Sequence, residues 1–212
     1  MHIRINLTIN RAVQILLFYL FFVIASTGLF IPIFAIFIKD FVQGASLSTV
    51  GFALAFYAVA KSIIQVPLAR YLDRNKGEKD DFIVLIIGAV IAVVYPFALL
   101  LVAKVWHLYL VEAMVGLGDA ALMSAYYAIF ARHVDKGSEG FEWSLFSVGT
   151  QTISLALGGA IGGIAADFFG FRSLFLFSGI INLFAVFILF LLYPYIDKGG
   201  AKSLPPVYTL PQ

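Results

Sequence analysis

Six long, mainly apolar stretches make up most of the chain, and short polar turns separate them. They cover residues 12–38, 47–71, 82–103, 108–130, 143–166 and 173–195. A helix of roughly 20 residues crosses the ~30 Å hydrocarbon core of a bilayer, whereas barrel strands alternate in polarity over about 10 residues, and these stretches do not alternate. The chain is 62% hydrophobic and only 12% charged, whereas a soluble domain is roughly 25% charged. We therefore predict an all-α integral membrane protein with six transmembrane helices.

The cations are distributed unevenly between the two sides that this topology defines. One side carries Arg4, Arg11, Arg70, Arg74, Lys76, Lys79, Arg132, Lys136, Lys198 and Lys202, and the other carries Lys39, Lys104 and Arg172. Cations that flank hydrophobic spans are retained in the cytoplasm. The sequence thus predicts a multi-pass protein of the cytoplasmic (inner) membrane with both termini in the cytoplasm. We divide it into a membrane domain at 1–196 and a Gly- and Pro-rich cytoplasmic tail at 197–212, which we expect to be disordered.

The sequence lacks the residues that several kinds of site require. The chain has no cysteine, which excludes disulfides, cysteine-ligated zinc and thiol catalysis. Its three histidines, His2, His107 and His133, all fall outside the apolar stretches. We expect no cofactor and no metal, and the small net charge of +2 gives no indication of nucleic-acid binding. The expected partners are the lipid bilayer and a small-molecule substrate.

The turns after the second and the fifth apolar stretches share a pattern of residues. The first contains Ala69, Asp73 and Gly77, and the second contains Gly163, Asp167, Gly170 and Arg172. The predicted topology places the two turns on opposite sides of the membrane, as in the inverted three-helix repeats that build many secondary transporters. We therefore predict two inverted three-helix repeats, with ordinary capping at a helix end as the alternative explanation.

The first of these turns resembles the loop signature of the major facilitator superfamily, Gly-x-x-x-Asp-(Arg/Lys)-x-Gly. Asp73 and Arg74 match that signature, Ala69 stands where the family has Gly, and Gly77 follows one position late. In the family this loop latches two helix bundles together on the cytoplasmic face. The resemblance implies a gating role for this loop, including Lys79, and the alternative is local ion pairing worth about 0–1 kcal/mol.

Two later segments resemble further motifs of the same family. Gly116 and Gly118 follow Glu112 with the spacing of the family's fourth-helix motif, which usually has Arg where this chain has Glu112. The segment Gly158–Arg172 resembles the fifth-helix motif and its following turn, without the usual Pro. The resemblance covers nearly the whole chain, but it corresponds to one six-helix half of a transporter that typically has two.

The resemblance implies transmembrane transport of a small solute by alternating access and no enzymatic activity. A single six-helix bundle has no second bundle to move against, so we expect a homodimer or a partner that supplies a second six-helix half. Proton coupling is left open. The alternative is a membrane scaffold or assembly factor that derives from a transporter half and carries no solute.

Three charged residues, Lys61, Glu112 and Asp119, fall inside the apolar stretches. One charge at the centre of a membrane helix costs on the order of 2.5–3.5 kcal/mol. These side chains are therefore expected to be paired or to face a wet cavity that binds substrate or protons. Glu112 and Asp119 lie two helical turns apart on one face of the fourth span. We expect Glu112 to be free to take up protons from the outer side, and a structural Lys61–Asp119 pair is the alternative to a functional site.

The fifth span carries small and polar residues at helical spacing, which predicts one stripe along the helix. Its members are Ser144, Ser147, Gln151, Ser154, Gly158 and Gly162. Such stripes pack membrane helices closely. In the family, helices two and five line the contact between bundles. We therefore predict a bundle interface here, with packing inside one bundle as the alternative.

Two short motifs favour other functions. Gly116-x-Gly118-Asp119 matches the signature of intramembrane aspartyl proteases, but that chemistry needs a second Asp in a neighbouring span, and no other Asp lies within a span. The tail sequence Pro205-Pro206-Val207-Tyr208 has the form of a WW-domain ligand. We regard both matches as coincidental.

Overall fold

The fold of the described chain is built from helices. A computed structural model describes residues 9–74 and 77–196. Its helices are α1 Arg11–Gly28, a 3₁₀ turn Ile31–Ile33, α2 Phe34–Phe41, α3 Leu47–Arg74, α4 Lys79–Leu99, α5 Val105–His133, α6 Glu139–Ser144, a π-helical segment Leu145–Ile153, α7 Ser154–Phe190 and α8 Tyr193–Ile196. The predicted all-α class is confirmed. Arg4, Lys76 and the predicted tail at 197–212 lie outside the described residues.

Five helical stretches in the described chain are long and apolar enough to cross a membrane. They are Arg11–Phe41, Leu47–Arg74, Lys79–Leu99, Val105–His133 and Glu139–Ile196. The first is interrupted after Gly28, and Pro32 lies at the start of the 3₁₀ turn. The fifth stretch contains both of the last two predicted spans, so length and composition alone give five candidate spans and not six.

The fifth stretch reverses its direction within α7. Gly170 has φ +73° and ψ 169°, which is not helical, and glycine adopts this conformation without the steric cost of a side chain. The Ser178 hydroxyl lies 2.6 Å from the Ser26 hydroxyl of α1, while Gly158 lies against the backbone of the adjacent Ala25. In a straight helix Gly158 and Ser178 would be about 30 Å apart. Residues 154–169 and 171–190 therefore both pack along α1.

Hydrogen bonds between turns bring several charged segments to one end of the bundle, which we name the basic end. The backbone N–H of Asn10 donates to Asp135 Oδ2 at 3.1 Å, so the start of α1 meets the turn after α5. The Arg132 guanidinium is paired with Asp81 near the start of α4. The start of α1, the start of α4 and the turn after α5 therefore share this end.

The other two turns meet at the opposite end. The backbone N–H of Gln43 donates to the carbonyl of Ala103 at 2.9 Å, which joins the turn after α2 to the turn after α4. The rings of Phe41 and Phe171 lie 5.5 Å apart, which brings the reversal at Gly170 to the same end. The chain thus alternates between the two ends.

The buried apolar side chains form one cluster near each end. At the basic end, α1, α4, α5 and the last part of α7 surround Tyr19, Tyr126 and Phe130. At the opposite end, Phe37 and Phe175 pack among side chains of α2 and of the turn between α4 and α5. The charged residues at membrane depth lie in the middle of the bundle.

Glycines allow two helix pairs to approach closely. A Cβ on Gly162 would overlap the backbone of Leu29, and one on Gly158 would overlap the carbonyl of Ala25, so both glycines set the spacing between α1 and α7. A Cβ on Gly88 would overlap backbone atoms of α5. Small residues commonly drive helix association in membranes, where the lipid is as apolar as a leucine side chain.

Candidate functional site

An ion pair links α3 and α5 at the middle of both helices. The Lys61 ammonium lies 2.6 Å from Asp119 Oδ2, and the Tyr57 hydroxyl donates to the same oxygen at 2.6 Å. The ammonium also lies 5.6 Å from the centre of the Tyr57 ring. The Lys61 and Asp119 side chains are 28% and 27% exposed. The pairing that the sequence suggested for these two charges is confirmed.

A glycine brings the two helices close enough for this pair to form. Gly116 lies one turn before Asp119 on the same face of α5, and it packs against the carbonyl of Tyr57 and the side chain of Ala60. A side chain at Gly116 would overlap that carbonyl. Close helix approach therefore explains the first glycine of the Gly116-x-Gly118-Asp119 motif. Among the described residues Asp119 pairs with Lys61 and not with a second aspartate.

Glu112 has a different neighbour from Asp119. Glu112 is only 3% exposed, and its Oε1 accepts a hydrogen bond from the Tyr95 hydroxyl of α4 at 2.9 Å. Glu112 lies two turns, or about 10 Å, nearer the opposite end of the bundle than Asp119. The expectation that Glu112 is free of a partner was therefore wrong, because its carboxylate is buried and accepts a hydrogen bond from Tyr95. Its role in proton uptake stays a prediction.

A polar track leads from the ion pair to the basic end. Lys61, Gln65, Ala69 and Asp73 follow one another at four-residue spacing, so they lie along one face of α3. Between this face and α5 lies a groove of about 260 Å³ lined by Gln65, Ala69, Asp73, Ser124, Tyr127, Ala128, Ala131 and Arg132. Ser124 also donates a hydrogen bond to the Gln65 carbonyl at 3.2 Å. The groove extends from Asp73 and Arg132 at the basic end to Gln65, one helical turn from Lys61.

The five residues of the predicted gating loop surround the turn at the basic end. Asp73 and Arg74 are exposed at the end of α3, Ala69 is half-buried one turn earlier, Gly77 is exposed in the turn, and Lys79 begins α4. Asp73 and Ala69 line the groove. Asp73 and Arg74 are therefore accessible from outside the bundle, and the latch itself stays a prediction.

Comparison with known proteins identifies the family. The family described as Major Facilitator Superfamily matches residues 16–208, which is most of the chain. The chain belongs to the major facilitator superfamily. No curated protein matched it. Members of the superfamily are transporters and not enzymes, so the family places the chain among integral membrane proteins of transporter type.

Membership of the superfamily gives the charged pair its context. A Lys–Asp pair at the midpoint of two membrane helices is costly to bury, and such charges in transporters mark substrate or ion pathways. The sequence indicated these charges and Glu112, but not Tyr57, which donates a hydrogen bond to Asp119, or Tyr95, which donates one to Glu112. Tyr57 could have been found, because it lies four residues before Lys61 and therefore on the same face.

The small-residue stripe divides into two parts. Ser147 and Gln151, in the π-helical segment, are exposed and remain available to another bundle. Ser154, Gly158 and Gly162 are buried inside the chain, and the two glycines contact α1. The predicted bundle interface was wrong for these last three residues, because Ser154 is buried inside the chain and the close approach that the two glycines allow is used within the bundle.

A buried charged cluster at the basic end was missed. Asp81 is completely buried, and its Oδ2 accepts a hydrogen bond from Arg132. Glu78 is 6% exposed, and its Oε1 lies 3.6 Å from His133 Nδ1. Among the described residues no group hydrogen-bonds to Glu78 Oε2 or Asp81 Oδ1. In the sequence Arg132 was one of the cations that flank the apolar stretches, whereas in the fold it joins α5 to α4.

Stability should fall as the pH rises because of Glu78, which lies in the turn before α4. Burial raises the pKa of Glu78, and the nearby Asp81 charge adds to this, while the charges of His133 and Arg132 oppose it. Between its ordinary pKa of about 4.3 and the raised value, the folded protein binds more protons than the unfolded chain, so the free energy of unfolding decreases with pH. The Glu78→Gln change should remove this dependence.

Thermal unfolding in detergent between acidic and mildly basic pH measures this effect. Glu78→Gln should be more stable than wild type at the highest pH tested, and the stabilities of the two proteins should converge at acidic pH. The matched control is Glu139→Gln, an exposed position on α6. Parallel pH profiles for wild type and Glu78→Gln would show that the Glu78 carboxylate is solvated.

Proposed function

We propose that this chain is one six-span bundle of a transporter that moves a small solute across the membrane by alternating access. The observation that carries the proposal is the Lys61–Asp119 pair, which lies at the midpoint of α3 and α5. Both side chains keep about a quarter of their surface exposed. Charges at membrane depth are costly against lipid, so this exposed surface is best explained by a water-filled cavity.

The second half of the transporter would pack against the face formed by α3 and the π-helical segment. Only Thr49, Ala53 and Leu72 of α3 are buried, and Ser62, Asp73, Ser147 and Gln151 are polar and exposed. Lipid does not satisfy exposed polar side chains. We propose that a second copy of the chain, or a separately supplied six-helix half, covers this face. Single-molecule bleaching in native lipid that finds monomers without a second half would contradict this assembly.

The proposed bundle has six spans arranged as two inverted three-helix repeats. The reversal at Gly170 supports six crossings, because residues 154–169 and 171–190 both pack along α1. Gly77 and Gly170 both have positive φ angles, +157° and +73°. They lie at opposite ends of the bundle and at corresponding points of the two proposed repeats. This correspondence is what an inverted repeat requires.

We propose that the basic end faces the cytoplasm, since cations flanking membrane spans are retained there. The absence of cysteine allows a direct test with single-cysteine variants at two exposed positions. Lys104→Cys, at the opposite end, should react with an impermeant thiol reagent in intact cells. Lys136→Cys, in the turn after α5, should react only after the cells are opened. Rapid labelling of Lys136→Cys in intact cells would reverse the orientation.

Transport is tested by reconstitution in vesicles with labelled sugars, amino acids, organic anions and organic cations. One class should show saturable flux, and Asp119→Asn should reduce it at least about tenfold, because it removes the carboxylate that Lys61 and Tyr57 bind. Asp40→Asn, an exposed aspartate at the end of α2, is the matched control and should leave the flux unchanged. Flux retained in Asp119→Asn would remove this site from transport.

Two further measurements in the same vesicles separate the alternatives. The double variant Lys61→Ala with Asp119→Ala should be more stable than either single variant, yet it should carry no flux; full flux would make the pair purely structural. Internal pH reports proton coupling, which we assign to Glu112, and unchanged proton movement in Glu112→Gln would exclude that residue. A folded protein that carries no solute but co-purifies with another membrane complex would favour the scaffold alternative.

A further inference from the structure

We propose that the solute is a small organic cation with an ammonium or guanidinium group, and that Lys61 occupies its binding position on Asp119 until the solute displaces it. This inference rests on the proposed transport function and names the substrate class of the same site. The observations that support it concern the Lys61–Asp119 pair, Tyr57 and Glu112.

The site already binds an ammonium ion. The Lys61 ammonium contacts Asp119 Oδ2 at 2.6 Å and the Tyr57 hydroxyl at 3.3 Å, and it lies 5.6 Å from the centre of the Tyr57 ring. Carboxylate and aromatic ring together are the groups that recognise organic cations. A free ammonium ion of similar size would find the same contacts.

The carboxylate of Asp119 has room for a second cation. Among the described residues, both hydrogen bonds to Asp119 go to Oδ2, and a carboxylate offers about four acceptor positions on its two oxygens. The side chain is 27% exposed. An incoming cation could therefore bind Oδ1 first and take over Oδ2 when the Lys61 ammonium leaves.

The charge balance of the site favours a cation over an anion. Lys61 neutralises Asp119, and Glu112 adds a second carboxylate about 10 Å away along α5. The net charge of these three groups is therefore −1 when both carboxylates are ionised. An anionic solute would have to displace Asp119 from Lys61 with a second carboxylate about 10 Å away along α5, whereas a cation replaces one positive charge with another.

Lys61 is suited to act as an internal competitor. Its ammonium is a compact charge on a flexible four-carbon stem, and the side chain is 28% exposed. When no solute is bound, the pair keeps an unbalanced carboxylate from being exposed at membrane depth, where it would be costly. The solute can bind only those sites in which Lys61 has left Asp119. The apparent affinity for solute is therefore reduced in proportion to the fraction of such sites.

The test measures binding to the full chain, purified and placed in lipid nanodiscs. The probes are n-butylammonium, which is the lysine side chain without its backbone, and the size-matched butyrate and 1-butanol. Thermal unfolding is recorded against the concentration of each probe. We expect saturable stabilisation of wild type by n-butylammonium and none by butyrate or 1-butanol at equal concentration.

Two variants and one control locate the site. Asp119→Asn should weaken n-butylammonium binding at least about tenfold, since the paired carboxylate is lost. Lys61→Ala should tighten it at least about tenfold, because the internal competitor is removed. Lys39→Ala, an exposed cation at the end of α2, should bind as wild type does. If Lys61→Ala does not fold, the wild-type and Asp119→Asn titrations still decide the outcome.

Several results would overturn the inference. Preferential binding of butyrate would assign the site to an anion, and unchanged n-butylammonium binding in Asp119→Asn would place the cation elsewhere. Binding in Lys61→Ala with none in wild type would show that Lys61 is never displaced. Vesicle flux separates this inference from the proposed function. Cation binding without any flux would refute transport alone, and flux of an uncharged solute without cation binding would refute only the cation.

Discussion

Replacing Gly162 with leucine should prevent the bundle from reaching its normal stability. A Cβ at Gly162 would overlap the backbone of Leu29, so α1 and α7 would have to move apart along their contact. Overpacking against side chains typically costs about 1–3 kcal/mol. Here the obstacle is backbone, which has no alternative rotamer, so we expect a loss of at least about 3 kcal/mol. Thermal unfolding in detergent and the yield of folded protein measure the effect.

The neighbouring residue supplies a matched control. Gly163 lies on the same helix, and a Cβ there meets no atom within 4 Å. Gly163→Leu should therefore retain nearly all of the stability, although it adds the same side chain to the same apolar helix. Equal stability losses in the two variants would show that leucine perturbs this segment through the membrane or the helix itself, and not through the contact with α1.

Apolar length predicted the helices well but not how they end. The run at 12–38 is not one continuous helix: α1 ends at Gly28, and Pro32 in the next turn lacks a backbone donor. The polar turn expected after the fifth span is instead confined to Gly170. Charged residues such as Asp167 suggested a longer turn, but the helix continues through them because polar side chains do not themselves end a helix.

The candidate site was partly predictable because a charge at membrane depth needs a partner. The need for a partner suggested a Lys61–Asp119 pair, and the two side chains are paired. The partner of Glu112 was not predicted, because Tyr95 is one of many tyrosines in the chain and carries no charge that would single it out. Nor could the sequence decide which helix Gly158 packs against, because small residues allow close approach both within and between bundles. These choices depend on tertiary packing.

Replacing Arg132 with methionine should cost about 3–5 kcal/mol, the range seen when one member of a buried ion pair is removed. Asp81 is completely buried, and Arg132 is its partner from α5. Methionine keeps much of the stem volume but leaves the carboxylate without its cation. Because the Arg132 side chain is 33% exposed, water can hydrate the vacated position in part, and we expect the lower end of the range.

A double-mutant cycle separates this pair from the other contacts of Arg132. Arg132→Met with Asp81→Asn should recover most of the loss, since no unpaired charge is then buried, and the coupling energy reports the pair alone. Arg74→Met, an exposed cation at the end of α3, should change the free energy of unfolding by less than about 1 kcal/mol. If Arg132→Met is as mild as Arg74→Met, the Asp81 carboxylate must be hydrated in the membrane-inserted protein. The charges at the basic end would then serve to orient the chain in the membrane, and they would contribute little to joining α4 and α5.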